Sequence, residues 1–148
     1  MRAGLTNLSL GLPAGATIYV VGIVDIFRLW EIAKHKKALG IVDCEVIWAA
    51  SVLGIYPCAT MLSPLNSEVD RQYTRARNLA FNDILIRVVD EYNANDLNHY
   101  YVYTDVVFNY LFVENQVSDI DCFHPSAGGQ KDLAKITWDA GPFGAYQR

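Results

Sequence analysis

Residues 16–33 read ATIYVVGIVDIFRLWEIA, and a change of period at Asp25 decides the fold class. Ahead of it, Ala16 to Val24 is β-branched and almost continuously apolar, the pattern of a strand buried on both faces as in parallel sheets. Pro13 and Gly15 punctuate its start. Behind it, Ile26, Leu29, Trp30 and Ala33 recur at helical spacing, which predicts a short amphipathic helix ending near Gly40.

Outward from this stretch the organisation continues in kind. Val42 to Pro64 is apolar, irregular and rich in breakers. From Ser67 to Tyr92 a long helix is predicted, with an apolar stripe of Val69, Tyr73, Ala76, Ala80, Ile84 and Val88, widened by Phe81, Leu85 and Tyr92. Ser67, Glu68 and Asp70 suit its first turn. NANDLN at Asn93 to Asn98 reads as a turn, YYVYTDVV at Tyr100 to Val107 as a second strand, and Ala127 to Trp138 as a closing helix with Ser126 as N-cap. Strands separated by helices imply an α/β layer fold with parallel strands and right-handed crossovers. No repeat, low-complexity tract or linker divides residues 1–148, so a single domain is expected.

Composition removes several function classes. The 148 residues are 52% hydrophobic and 19% charged, too apolar for a disordered segment and long enough to bury a core. The net charge of −4 offers no surplus to neutralise phosphates, and KHKK at Lys34 to Lys37 reads as a solvated helix end, so nucleic acid is not an expected partner. No apolar run reaches the ~18 residues of a membrane span. Asn7, Gly11 and Pro13 interrupt any signal-peptide core, which leaves localisation open. Cys44, Cys58 and Cys122 form no C-x-x-C pair; one bridge with a free thiol and three reduced thiols are both compatible with them.

The chemistry concentrates in VSDIDCFHPSAGGQ, Val117 to Gln130. The Asp121-x-x-His124 spacing lets the carboxylate fold back onto imidazole Nδ1, fixing the tautomer and leaving Nε2 to take a proton. Pro125 keeps His124 out of the α region, so it sits extended before the helix. The alternatives are a polar turn with a local hydrogen bond, and a metal site built from Asp119, Asp121 and His124. Cys122 lacks an activating neighbour and makes a poor nucleophile. His35 and His99 read as surface or boundary residues, Trp30 and Trp138 as helix core faces, Trp48 as core or pocket lining. Tyr100, Tyr101 and Tyr103 read as packing, and Asp105 as a turn or cap.

DCFHPSAGGQKDLAKITW, with Asp-x-x-His-Pro-Ser leading into a helix that closes on Trp, resembles the C-terminal block of the SGNH or GDSL ester hydrolases, in particular their phospholipase B-like branch. LPAGATIYVVGIVDIFRLW, RARNLAFNDILIRVVDEYN and YYVYTDVVFNYLF are similar, in order and spacing, to that family's penultimate strand, long helix and final strand. The resemblance runs from about Leu12 to the end. It implies part of a three-layer αβα flavodoxin-like fold with parallel strands, no cofactor, an acyl-ester or lipid substrate, His124 as general base and Asp121 as its orienting carboxylate.

The family's Gly-Asp-Ser nucleophile, its glycine block and its Gly-x-Asn-Asp block have no counterpart here. Phe81-Asn82-Asp83 imitates the last but lacks the glycine and falls inside a predicted helix. Ser9, Ser51, Ser63, Ser67 and Ser118 have no nucleophile-elbow context, and there is no G-x-S-x-G. The expectation is a C-terminal half of such an enzyme, its N-terminal strands missing, nearly inactive alone because losing even one oxyanion donor costs ~10²–10³ in rate. A non-catalytic fragment serving as a binding module is the competing expectation. In either case the exposed edge of IYVVGIV invites self-association.

Overall fold

The structure, a computed structural model, describes residues 1–49 and 58–143. Its elements in chain order are α1 (Arg2–Gly11), β1 (Thr17–Val21), α2 (Ile26–Ala33), β2 (Lys37–Ala38), β3 (Val42–Asp43), α3 (Cys44–Ala49), α4 (Ala59–Leu62), α5 (Glu68–Asn95), β4 (Tyr100–Thr104) and α6 (Ala127–Ala140), with a 3-10 turn at Glu114–Gln116 before α6. It is a mixed α/β arrangement in which β1 and β4 pair in parallel, Thr17 opposite Tyr100 through Val21 opposite Thr104. Among the described residues no helix is long and apolar enough to cross a membrane.

Ile18 and Tyr101 are buried on one face of this sheet against Val88 and Val89 of α5 and Leu5 of α1. On the other face the Tyr19 hydroxyl donates to the Thr137 carbonyl of α6 at 2.9 Å. A larger core lies beyond the end of β1, where Phe27, Leu29 and Trp30 of α2 meet Trp48 of α3, Met61 and Leu62 of α4, and Phe112, Val117 and Phe123 from the segment before α6. The loop that carries Asp121 and His124 is seated on this second core through Val117, Cys122 and Phe123.

Several expectations need correction. The first strand stops at Val21 rather than Val24: β4 ends opposite it at Thr104, to whose carbonyl Gly22 N–H still donates, and the backbone of Ile23 pairs with the Asn82 side chain instead of a strand. The second ends at Thr104, not Val107. Helix α2 ends at Ala33, and Gly40 belongs to a β2–β3 hairpin whose Leu39 and Gly40 both have positive φ, as a primed turn requires. Lys36 in the supposed solvated run is 5% exposed. Trp138 is half-exposed, stacked on Phe143 instead of facing a core, and Tyr100 is exposed.

The largest correction concerns α5. Its start is as expected, with a Ser67–Asp70 capping box, but its apolar stripe points outward: Val69 is 76% and Tyr73 67% exposed, and Ala76, Ala80 and Ile84 are exposed with them. Only the last part of the stripe, around Val88, is buried. The inward face carries Arg71, Asn78, Asn82 and Val89. Hydrogen bonding explains the inversion. Alternate residues of each strand turn their backbone groups away from the partner strand, and α5 supplies amides for them. Asn82 accepts from the Ile23 N–H at 2.7 Å and donates to the Ile23 carbonyl at 3.0 Å. Asn93 does the same for Tyr101, at 3.0 and 2.8 Å. Arg71 donates to the carbonyls of Met61, Ser63 and Asn66, pinning the turn after α4. Arg75 donates to Asp25, the buried N-cap of α2, at 2.7 and 2.9 Å.

Candidate active site

The chain from Val117 to Pro125 folds back on itself, these two residues forming an isolated antiparallel bridge. Ser118 N–H donates to the His124 carbonyl at 2.8 Å and Ser126 N–H to the Gln116 carbonyl at 2.7 Å. Pro125 thus holds the chain extended, and Ser126 then caps α6 by accepting from the Gly129 N–H at 3.2 Å. Gly129 is the residue the packing requires, since a Cβ there would sit 2.4 Å from the Gln116 carbonyl oxygen.

Within this loop the expected pair forms. His124 Nδ1 lies 2.8 Å from Asp121 Oδ2, while Asp121 Oδ1 accepts from the N–H groups of Phe123 and His124 at 2.9 and 3.0 Å. Partial burial pushes the Asp121 carboxyl up, but the Phe123 N–H, the His124 imidazole and the His124 N–H outweigh it, so Asp121 titrates below the ordinary carboxylate range. An ionised carboxylate only accepts, so Nδ1 carries its proton toward Asp121 and, in the neutral form of the ring, Nε2 holds the lone pair. The imidazole is 60% exposed, its edge packed against the Phe123 ring at 5.6 Å between centroids. It borders a shallow, open depression of ≈ 490 Å³ lined also by Ser118, Ile120, Ser126 and Gln130.

Three residues from the segment between α2 and α4 reach under the loop. The Lys36 ammonium donates to the carbonyls of Glu114 (3.0 Å) and Val117 and pairs with Asp119 at 2.7 Å. Trp48, 1% exposed, donates Nε1–H to the Asp121 carbonyl at 3.2 Å. Cys44 forms a disulfide with Cys122, both fully buried, while Cys58 is a free, exposed cysteine. Cys122 is therefore a structural anchor, at positive φ in the turn between Asp121 and His124. Sequence reasoning missed Lys36 altogether and left the cysteine pairing undecided.

The three-ligand metal set does not assemble, because Asp119 is taken by Lys36, and no cluster of three candidate ligands occurs among the described residues. The serines are occupied with local structure: Ser9 donates to the Thr6 carbonyl, Ser63 accepts from Leu65 N–H, Ser67 and Ser126 are N-caps, and Ser118 accepts from Ile120 N–H. Ser51 lies outside the described residues. Asn82, in the Phe81-Asn82-Asp83 imitation, spends its amide on Ile23. Asp105 makes a turn, accepting from Phe108 and Asn109, and His35 is exposed as expected.

A second Asp-x-x-His stands far along the chain at Asp96 and His99. Its Nδ1 to Oδ2 distance is also 2.8 Å, and Asp96 Oδ1 accepts from Asn98 N–H at 2.9 Å. This histidine is buried, its Nε2 sits 3.3 Å from the Leu12 carbonyl, and the Tyr101 hydroxyl donates to the same carboxylate at 2.6 Å. The pair borders a cavity of ≈ 790 Å³ between α1 and the end of α5. Its ring nitrogens are both engaged, so it fastens the chain before β1 to the start of β4. No protein-family model matches the sequence, and no curated protein matches it at a significant level.

Proposed function

We propose that Asp121 and His124 are the general-base pair of a serine ester hydrolase of the SGNH type, acting on acyl or lipid esters, with the serine and the oxyanion donors contributed by polypeptide outside these 148 residues. The observation that carries this reading is the 2.8 Å carboxylate–imidazole contact with the opposite ring edge exposed above the start of α6. In such an enzyme Nε2 takes the serine proton during attack on the ester carbonyl, returns it to the leaving alcohol, and then activates the water that releases the acyl group. Asp121 holds the tautomer throughout. On its own the pair offers general-base assistance of ~10²–10⁴ at most, and only to a positioned substrate. The same reading extends β1 and β4 into a larger flavodoxin-like sheet through the outward side of β1, the side on which a second copy is expected to pair when no further strand is present.

The test is hydrolysis of short acyl esters by the 148-residue chain, and by the same chain joined to any segment encoded upstream of Met1 that carries Gly-Asp-Ser and Gly-x-Asn-Asp. Near-background rates for the first and a rate that falls at least ~10²-fold on His124→Ala for the second are expected. The absence of such an upstream segment, or His124→Ala rates equal to wild type, would overturn the reading. A non-catalytic binding module is the second reading. It is favoured by the shallowness of the depression and by the engagement of every described serine.

A further inference from the structure

We infer that Lys36, Trp48 and the Cys44–Cys122 disulfide are positioning residues for His124, so that the orientation of its imidazole depends on an intact clamp from the segment that joins α2 to α3. The inference rests on the proposed role of the Asp121–His124 pair. Its support is the way the loop is held. Asp121 and His124 are themselves part-exposed, and the hydrogen bonds of their side chains are local: a carboxylate, two N–H groups and a ring within three residues. Short turns of this kind do not by themselves persist in water, because each local hydrogen bond competes with solvent. The non-local anchors are of another kind. Trp48 donates to the backbone carbonyl of Asp121 itself, and Cys122, the next residue, is tied covalently to Cys44 across a sequence separation of 78.

Cys44 opens α3 and Trp48 lies one turn further on, so one short helix grips two consecutive residues of the loop. Lys36 fixes the loop's stem through the Glu114 and Val117 carbonyls and its near side through Asp119. The three anchors leave the turn at Asp121 a single backbone placement relative to the core, and the imidazole inherits it. None of the three reaches the exposed ring edge, so their action on His124 runs through Asp121. Burial of both sulfurs, at 0% exposure, makes the bridge a staple rather than a surface redox switch.

The measurement is the ¹⁵N pattern of the His124 imidazole and the exchange rate of its Nδ1 proton in the folded 148-residue chain. Asp121→Ala supplies the pattern of an unsupported ring. Cys44→Ala with Cys122→Ala, and separately Trp48→Phe with the disulfide intact, are expected to move the pattern toward that reference, with Nδ1 proton exchange about tenfold faster. The Trp48→Phe variant decides the matter if the double variant fails to fold. An unchanged His124 pattern in Trp48→Phe, or in a folded double variant, would overturn the clamp. The readout is independent of ester hydrolysis: a shifted imidazole in a protein with no upstream serine segment leaves the clamp standing and removes the hydrolase reading.

Discussion

His99 and His124 each follow an aspartate by three residues and place Nδ1 at the same 2.8 Å from it, yet they serve opposite ends. What separates them is the other nitrogen. His99 spends Nε2 on the Leu12 carbonyl inside the fold; His124 keeps it at the surface. Spacing makes the Asp121–His124 pairing legible, but the same spacing at Asp96 and His99 reads as a turn and a boundary residue, and the burial of His99 is set by a partner 87 residues away in sequence. The Asp96–His99 pair also makes a pH prediction. The Tyr101 hydroxyl, the Asn98 N–H and His99 hold Asp96 at about 2, below its ordinary 3.8, so its contribution is present above 3.8 and is lost as pH falls toward 2. The hydrogen bond to Asp96 raises His99 above 6.5, so that contribution is complete below 6.5 and is lost as pH rises through the raised value. Burial and the same carboxylate push the Tyr101 phenol up to about 12, keeping it a donor throughout. Denaturant melts from pH 2 to pH 9 should therefore show a maximum between the two windows, and Asp96→Asn should flatten both flanks. An unaltered profile in the variant would count against the assignment. Substitution of His124 by Ala, at an exposed ring, should leave the melting midpoint nearly unchanged.

At the scale of elements, α5 shows where periodicity misleads. Counting apolar residues finds the stripe that begins at Val69 and Tyr73, and that count is sound as far as it goes. The helix nevertheless turns an amide-bearing face inward, because the outward backbone groups of Ile23 and Tyr101 lie against it and take its amides as partners. A hydropathy pattern has no way to register that demand, whereas Ser67, Asp70 and Ser126 announce their caps through residue type alone. Substitutions distinguish the two faces. Asn82→Ala removes the buried amide that pairs with the part-buried N–H and carbonyl of Ile23 and should cost about 1–2 kcal/mol. Tyr73→Ser on the outer face should stay within about 0.5 kcal/mol of wild type. Both are read from urea midpoints at constant m-value. The reverse ranking would place the apolar stripe inside after all. At the start of α6, Gly129→Ala drives a methyl against the Gln116 carbonyl and should cost about 1–3 kcal/mol, since the chain must shift to admit it.

For the whole molecule, α5 spans the two cores, packing Val88 and Val89 into one and bonding the elements of the other through Arg71 and Arg75, and the disulfide acts inside the core that carries the site. Closing a loop across a separation of 78 is worth about 4.5 kcal/mol in the chain-entropy account, an upper figure, so the Cys44→Ala, Cys122→Ala variant should lose about 2–4 kcal/mol in a denaturant melt. Neither cysteine disclosed this from its neighbours; only the fold brings Cys44 under Cys122. The sheet presents the opposite case, where sequence and structure agree on a consequence. Ala16 accepts from Tyr100 N–H and Gly22 donates to the Thr104 carbonyl, so even-numbered residues of this segment face β4 and Thr17, Tyr19 and Val21 face away. Asn82 covers the next outward residue, Ile23, but among the described residues no strand pairs with these three. A row of outward N–H and carbonyl groups on a β-branched strand is a template for another chain. Sedimentation velocity over a range of concentrations should therefore show self-association. Val21→Pro, which removes an outward N–H and leaves the bonds to β4 in place, should weaken it by removing one inter-chain bond, about tenfold in the dissociation constant. A wild-type chain that sediments as one monomeric species at every concentration would show that the edge of β1 is not a pairing surface.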